Sequence, residues 1–464
     1  MRRTPRDDKI DCFFNTKTGN VINAPESTTL LGNIGHYAIL CAIVKQALTV
    51  ILLISTLLPL LACAGTSQKN IEQADIYLTQ EQWNEAISEY TKVIDENPNL
   101  ALAYSKRGQA YAAIEDWNAA LGDLNKAIEL DPKLIEAYSH RAAVFHAQGQ
   151  WDMAISDLNK AIELAPNLAE AYSSRGFTYA AKGQLDLALA DFNKAIELNP
   201  RLEEAYYNRG LAYNDQGRWD LGIADLSKAI ELDPANFTAY NDRGSAYTNT
   251  GKLDLAIADL NKAIEMKPDY ALAYYNRGLI YKEQEQWESA IADFGKALEL
   301  EPSLIGINQS LAEVYTSRGY DYRLTGQNDL AEADLKKAIE LDPNLAVAYF
   351  NLGSLYNSTE QWESALANLN KAIELQPDNP VMYHNRAYTY LNNDLLEEAI
   401  ADESKAIELK PDYALAYYNR GLTYYHNGQS DLAVADFNKT IQLSTDPDLI
   451  SYAQDRIAEI QRIR

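Results

Sequence analysis

Cysteine is nearly absent from this chain of 464 residues: only Cys12, Cys41 and Cys63 occur, all near the N-terminus. No disulfide framework and no cysteine metal site can therefore form in the rest of the chain. The five histidines are dispersed, without an HExxH motif or any other paired metal-ligand spacing. A GxSxG nucleophile motif and a phosphate-binding loop are also missing. The sequence thus predicts no metal, no cofactor and no enzymatic activity.

Positive charge is in deficit. Lys and Arg number 41 against 66 Asp and Glu, which gives a formal net charge of -25. Because an acidic surface repels phosphate backbones, this composition argues against nucleic acid as a partner. With 47% hydrophobic residues, the chain nevertheless has enough apolar material for a folded core.

The sequence does contain a repeat of 34 residues. The segment AYSKRGQAYAAIEDWNAALGDLNKAIELDP (103–132) recurs as AYSSRGFTYAAKGQLDLALADFNKAIELNP (171–200). Seven such units run in register over 67–304, and four more occupy 312–447. Within a unit, apolar residues have helical spacing on two segments, position 15 is often Gly, and position 32 is Pro in ten units. Each unit is therefore predicted to be two antiparallel helices joined by a tight turn.

Large residues on one helix of a unit are matched by small residues on the other. Position 4 is usually Tyr, position 8 is Gly or Ala, position 11 is usually Tyr, and positions 20 and 27 are usually Ala. Together with Pro at position 32, this pattern resembles the tetratricopeptide repeat (TPR) family over more than four-fifths of the chain. The resemblance implies an all-α TPR solenoid: a right-handed superhelix of antiparallel helix pairs, with eleven repeats and a C-terminal capping helix.

Apart from the apolar segment 46–64, three segments lie outside the repeat pattern. Residues 1–45 show no periodicity and are expected to be an unstructured leader. Residues 448–464 form an amphipathic pattern and are predicted to be the helix that caps the array. The insertion at 305–311 adds about two helical turns, so we expect a longer first helix in the eighth unit and a continuous superhelix with a local bend. An unstructured loop is the alternative.

Position 7 is Arg in nine units, and two roles are open for this row. A row of arginines could bind phosphate or an acidic peptide. Position 23, which faces position 7 across the helix pair, is Asp in the same nine units. The ninth unit loses both at once, with Leu352 and Asn368. This paired change favours an ion pair within each repeat over a ligand site.

The resemblance also implies a binding face on the first helices. TPR superhelices that bind extended peptides use a ladder of asparagines at position 6, where a carboxamide offers a donor and an acceptor to a peptide bond. Here position 6 is Asn in five units and position 5 is aromatic in four, so the predicted groove contains Asn208, Asn276, Asn351, Asn385, Asn419, Tyr207, Tyr275, Phe350 and Tyr418. The alternative is that Asn is merely common at this position. No unit has Lys at position 2 or 5, so the carboxylate clamp of another TPR class is not expected.

Residues 46–64 contain the apolar run QALTVILLISTLLPLLA followed by Cys63. One interpretation is an uncleaved membrane anchor with the basic N-terminus inside the cell. The other is a bacterial lipoprotein signal, because LLAC (60–63) resembles a lipobox, which implies lipid attachment at Cys63. Lipoprotein signals are short, so this interpretation also predicts a translation start at Val44, which would leave most of the leader untranslated. Both interpretations put the repeats outside the cytoplasm, in the periplasm or at the cell surface.

These features predict a membrane-tethered, extracytoplasmic TPR scaffold that binds protein or extended peptide segments. Two other roles remain open. The array could be a structural spacer without a peptide groove, or an accessory subunit of a complex that assembles envelope polymer.

Overall fold

The computed structural model describes residues 67–463, and within this range the backbone forms 23 helices and no strand. The predicted all-α TPR solenoid class is confirmed. In chain order the helices are α1 Ser67–Thr79, α2 Trp83–Glu96, α3 Ala101–Ala113, α4 Trp117–Leu130, α5 Ile135–Ala147, α6 Trp151–Leu164, α7 Ala169–Ala181, α8 Leu185–Leu198, α9 Glu203–Asp215, α10 Trp219–Leu232, α11 Phe237–Asn249, α12 Leu253–Met266, α13 Ala271–Glu283, α14 Trp287–Leu300, α15 Ile307–Leu324, α16 Asn328–Leu341, α17 Ala346–Ser358, α18 Trp362–Leu375, α19 Pro380–Asn392, α20 Leu396–Leu409, α21 Ala414–His426, α22 Ser430–Leu443 and α23 Pro447–Ile463.

The odd-numbered helices α1 to α21 are the first helices of the eleven repeats, and the even-numbered helices are the second helices. In ten repeats the second helix ends two residues before the proline at position 32, which cannot continue a helix. The turn between the two helices places position 15 in the left-handed region in every repeat, with Gly149 at φ 70° as one example. Glycine fills this position in six repeats, whereas four repeats have Glu and one has Asp.

Position 8 is small because the second helix presses its position-24 side chain onto it. A Cβ atom on Gly108 would lie 2.8 Å from Leu124 Cγ, and one on Gly176 would lie 2.8 Å from Phe192 Cε1. Since side chains cannot approach this closely, these repeats need glycine at position 8 for this helix separation, whereas repeats 1 and 3 have alanine there opposite Tyr90 and Leu158. The core of each repeat is therefore built from positions 8, 20, 24 and 27.

The insertion forms part of a helix. Helix α15 has eighteen residues, whereas the other first helices have thirteen, and the left-handed Gly306 (φ 85°) precedes it. Ile307 and Leu311 are buried, so the added residues join the core. This is the longer first helix that the sequence predicts. At the C-terminal end, Ala453 and Ile460 of α23 are buried, as expected for a helix that covers the last repeat.

The chain divides into two compact units, with the boundary between Ala212 and Tyr213. This boundary lies inside α9, whereas the insertion lies well within the second unit. The insertion is therefore not a domain boundary.

Candidate functional site

The arginines at position 7 form ion pairs with the aspartates at position 23. In Arg277, for example, Nη2 lies 2.6 Å from Asp293 Oδ1 and Nε lies 2.7 Å from Oδ2. Equivalent two-pronged pairs join Arg107, Arg141, Arg175, Arg243, Arg318, Arg386 and Arg420 to Asp123, Asp157, Asp191, Asp259, Asp334, Asp402 and Asp436. The hydrogen bond to Asp293 raises the pKa of the Arg277 guanidinium. These guanidinium groups are structural, as the paired change in the ninth repeat suggested.

The same arginines also join successive repeats, which the sequence analysis missed. Nη1 of Arg141 donates to Asn125 Oδ1 (2.6 Å), and Nη1 of Arg420 donates to Ser404 Oγ (3.0 Å), in each case at position 25 of the preceding repeat. Where position 25 is Gly295, Nη1 of Arg318 instead donates to Glu288 (3.3 Å). The available signal was the Asn, Ser or Thr at position 25 before most repeats that carry the arginine.

The asparagines at position 6 are buried, with 3–9% of each residue exposed: Asn208, Asn276, Asn351, Asn385 and Asn419. Asn276 joins neighbouring first helices, because its Nδ2 donates to Asn241 Oδ1 (2.9 Å) and Ser245 Oγ (3.3 Å). Asn385 Nδ2 donates to the Val381 carbonyl (3.0 Å) in its own helix. These two carboxamides therefore have bonding partners inside the protein.

A second polar network surrounds Asn385. Thr389 Oγ1 donates to Asn357 Oδ1 (2.8 Å), and Asn357 Nδ2 donates to the carbonyl of Asn385 (3.4 Å). Thr389 is at position 10 and Asn357 at position 12 of the preceding repeat, and both are buried. The helical pattern within one repeat does not indicate this network. Comparing the residue types at positions 10 and 12 across the repeats would have identified the two polar residues.

Asn419 differs from these asparagines, because its Nδ2 and Oδ1 make no hydrogen bond of ordinary length, although its amide is near enough to the Glu403 carboxyl to affect the pKa of that group. It follows, by one repeat, the buried pair formed by His384 Nδ1 and Glu403, whose carboxylate oxygens are 3.0 and 3.1 Å away. Burial raises the pKa of the Glu403 carboxyl, while His384 and the amide of Asn419 lower it. Every other repeat has Leu, Phe or Tyr where Glu403 stands. The signal for this pair was thus a carboxylate at a core position.

The aromatic residues at position 5 lie against the cores of their own repeats. Tyr275 and Phe294 have ring centroids 5.6 Å apart, and Tyr418 and Phe437 have the same separation, with similar tilts. Phe350 packs on the cluster around Ile373. Tyr207, Tyr275 and Phe350 are partly buried, so each retains some accessible surface, whereas Tyr418 is 8% exposed.

The first unit has a different set of polar contacts at positions 5, 6 and 9. Ser105 Oγ lies 3.1 Å from Nδ1 of His140, and burial lowers the pKa of this histidine to about 4. Lys106 Nζ donates to Asp75 Oδ1 (2.6 Å), which also accepts a hydrogen bond from Tyr90. None of these residues was singled out for a site from the sequence.

The predicted lipid-attachment residue Cys63 lies outside the described residues. No helix within residues 67–463 is long and apolar enough to cross a membrane. In the same range, no group of three or more His, Cys, Asp or Glu side chains could hold a metal ion.

Family models match most of the chain. A model described as TPR repeat matches residues 74–114, 110–149, 144–183, 178–217, 210–251, 244–284, 319–359, 353–394 and 396–428. A second, described as Tetratricopeptide repeat, matches 271–304 and 414–445. The chain belongs to the TPR family. The TPR resemblance derived from the repeat pattern is thus confirmed. No curated protein matches the chain.

Among solved structures, the chain is similar to MamA, with 31% identity over 35% of this chain and 94% of that one (TM-score 0.33). It is also similar to a tetratricopeptide repeat protein from Parabacteroides merdae, with 23% identity over 53% and 98% of the two chains (TM-score 0.43). A third is YrrB, described as a TPR protein with an unusual peptide-binding site, with 27% identity over 40% and 95% (TM-score 0.32).

Proposed function

We propose that this TPR protein is a non-enzymatic scaffold that binds extended protein or peptide segments along its first helices. The observation that carries the proposal is Asn419, a buried carboxamide with two unpaired polar atoms. Leaving a buried polar group unpaired costs about 1–3 kcal/mol, and a peptide backbone would supply both the missing acceptor and the missing donor. The acidic surface argues for a protein partner over nucleic acid.

The asparagines divide into two groups for this purpose. Asn276 and Asn385 already bond inside the protein, so their replacement would disturb the array as well as any binding. Replacing Asn419 by Ala removes no hydrogen bond of ordinary length but does remove an amide that lowers the pKa of Glu403, so the stability of this variant is measured beside its binding.

The test selects binders from a displayed library of random short peptides on the full-length chain. Peptides retained by the wild type should bind Asn419→Ala about tenfold more weakly, because two hydrogen bonds to the peptide are lost. The control is Asn438→Ala, which removes an exposed amide that bonds only the Val434 carbonyl of its own helix. Unchanged binding by Asn419→Ala would mean that the peptide does not use this carboxamide, whereas a wild type that retains no peptide would favour the spacer role.

We also propose that the N-terminal segment tethers the repeats to a membrane, on its extracytoplasmic side, with Cys63 as the lipid-attachment residue. The support is the apolar run 46–62 followed by LLAC. Mass spectrometry of the N-terminal peptide from membranes should find a diacylglyceryl-modified Cys63. A chain that retains residues before an unmodified Cys63 would be an anchored protein instead.

A further inference from the structure

Helices α7 and α9 carry a group of polar residues that includes two carboxyl groups without a positively charged partner in the described part of the chain. Glu170 and Ser173 are three residues apart on α7, and Glu204 and Asn208 are four residues apart on α9, so each pair shares one face of its helix. The two helices are the first helices of adjacent repeats. Glu170 and Glu204 are both at position 2 of these adjacent first helices, and the negative charge of Glu170 contributes to a raised pKa of Glu204.

The direction of the position-5 side chain follows from two equivalent contacts. Ser105 at position 5 contacts His140 at position 6 of the next repeat (3.1 Å), and Asn241 accepts from Asn276 in the same relation (2.9 Å). Ser173 is also at position 5 and therefore faces the position-6 residue of the next repeat, Asn208. The serine is thus on the side of α7 that faces α9.

Ser173 has no accessible surface, and its Oγ has no hydrogen-bond partner. Buried hydroxyl groups nearly always have one, so this atom indicates a missing ligand group or water. Within residues 67–463, Glu170 and Glu204 also lack a hydrogen bond or ion pair, although both are partly buried. Most exposed glutamates of the second helices, by contrast, pair with a lysine, such as Glu163 with Lys160 (2.7 Å).

The electrostatics of the cluster favour a cation. Burial, together with the smaller effects of the negative charges of Glu203 and Glu170, raises the pKa of the Glu204 carboxyl to about 8. A positive charge between Glu170 and Glu204 would relieve this repulsion. A metal ion is disfavoured, since no group of three metal-ligating side chains occurs in the described range.

We propose that Glu170 and Glu204, with the hydroxyl of Ser173 and the amide of Asn208, bind the guanidinium or ammonium group of an arginine or lysine side chain in the bound segment. The carboxylates would accept charged hydrogen bonds, and the two oxygens of Ser173 and Asn208 would accept further ones. This inference rests on the proposed peptide-binding function and adds a preference for a basic side chain at one place in the segment.

The first test repeats the peptide selection with the full-length Glu170→Gln/Glu204→Gln variant. Peptides selected on the wild type should be enriched in Lys or Arg, and this enrichment should fall at least tenfold on the variant. The control is Glu163→Gln, which removes one exposed negative charge and should retain the enrichment. Equal basic content on all three proteins overturns the inference while leaving peptide binding intact, whereas a wild type that retains no peptide overturns the proposed function.

The second test does not depend on a peptide. The pKa of Glu204 is followed by carbon-13 NMR with n-propylguanidinium, with n-butylammonium, or with tetramethylammonium at equal ionic strength. The first two probes should lower the pKa from its value of about 8, and the third should not, because it has no hydrogen-bond donor. A response equal for all three cations would mean screening only and would overturn the inference.

Discussion

Repeats 2 to 4 and repeats 9 to 11 have the same backbone structure but different residue types at positions 5 and 6 of their first helices. In the earlier repeats position 5 is always serine and position 6 is Lys, His or Ser: Ser105, Ser139, Ser173, Lys106, His140 and Ser174. In the later repeats position 5 is a ring and position 6 is always a carboxamide: Phe350, His384, Tyr418, Asn351, Asn385 and Asn419. Helix lengths are thirteen and fourteen residues in both regions.

This comparison separates the repeat positions that determine the fold from the positions that are available for binding. Positions 8, 20, 24 and 27 form the core in both regions, and only Glu403 and Thr440 of the later region are polar there. Positions 5 and 6 can change from serine to aromatic and from lysine to asparagine without altering the helix pair. Function in this chain is therefore expected to differ between the two regions, with a cation-binding cluster early and carboxamides late.

The largest expected effect concerns the buried His384–Glu403 pair of the later region. Replacing His384 by Ala leaves the Glu403 carboxylate buried without its partner, which should destabilise repeat 10 by about 3 kcal/mol. Hydrogen exchange of α19 and α20 amides measures this locally, which is suitable because repeat arrays open in parts. Since burial raises the pKa of Glu403, falling pH protonates the carboxyl and should reduce the loss.

The matched control places the residue types of repeat 2 at the same two positions of repeat 10. Glu403→Leu with His384→Ser reproduces positions 24 and 5 as they occur in Leu124 and Ser105 of repeat 2. Replacing a buried ion pair by an apolar residue is often neutral or stabilising, so this double variant should be at least as stable as the wild type. A double variant as unstable as His384→Ala would mean that the pair is not the cause.

The second prediction concerns acid sensitivity in the earlier region. Burial lowers the pKa of His140 from about 6.5 to about 4, so the unfolded state binds a proton at a higher pH than the folded state does. Stability is therefore full above pH 6.5 and falls as pH decreases from 6.5 to 4, by about 3 kcal/mol in total. Hydrogen exchange of α5 measured across this range should follow that decline.

The control for acid sensitivity is His140→Asn, which introduces the residue common at position 6 in the later region. In this variant the hydrogen-exchange protection of the α5 amides should no longer decline between pH 6.5 and 4, because no titrating imidazole remains at position 140. The same decline in this variant would assign the acid sensitivity to other groups. Glu403 in the later region should respond in the opposite direction, since its raised pKa favours the folded state at lower pH.

The third prediction compares two asparagines at the same repeat position. Asn276→Ala removes hydrogen bonds to Asn241 and Ser245 and should destabilise the second unit by about 1–2 kcal/mol. Asn419→Ala removes no hydrogen bond of ordinary length, so urea unfolding should give a free energy of unfolding within about 0.5 kcal/mol of the wild type. Equal losses would mean that Asn419 has an internal partner, and the carboxamides would then be structural throughout.

Much of the fold could be predicted from the sequence, because the same pattern of core residues occurs in all eleven repeats. Tyr at positions 4 and 11 with Ala at positions 27 and 20, and the paired loss of Arg and Asp at Leu352 and Asn368, predicted the helix pair and its ion pair. The contacts between repeats were harder to predict. Asn276 can donate to Asn241 only if the first helices of successive repeats lie close enough together. The residue spacing within one repeat does not determine this distance, so the sequence could not show whether the carboxamide is free to bind a ligand.

The smallest predicted effect tests whether the two regions share one scaffold at their turns. Glu115 (φ 60°) and Gly149 (φ 70°) occupy the same left-handed position in repeats 2 and 3, and Glu360 (φ 55°) and Gly428 (φ 73°) do so in repeats 9 and 11. Glu115→Gly and Glu360→Gly relieve about 1–2 kcal/mol of strain, offset by about 0.5–1 kcal/mol of backbone entropy. Each should therefore raise stability by about 0.5 kcal/mol, visible as a small increase in Tm. Gly149→Ala and Gly428→Ala should lower it by a similar amount, because an added Cβ has open space and only the backbone conformation opposes it. A different sign in the two regions would show that one of these turns depends on its side chain.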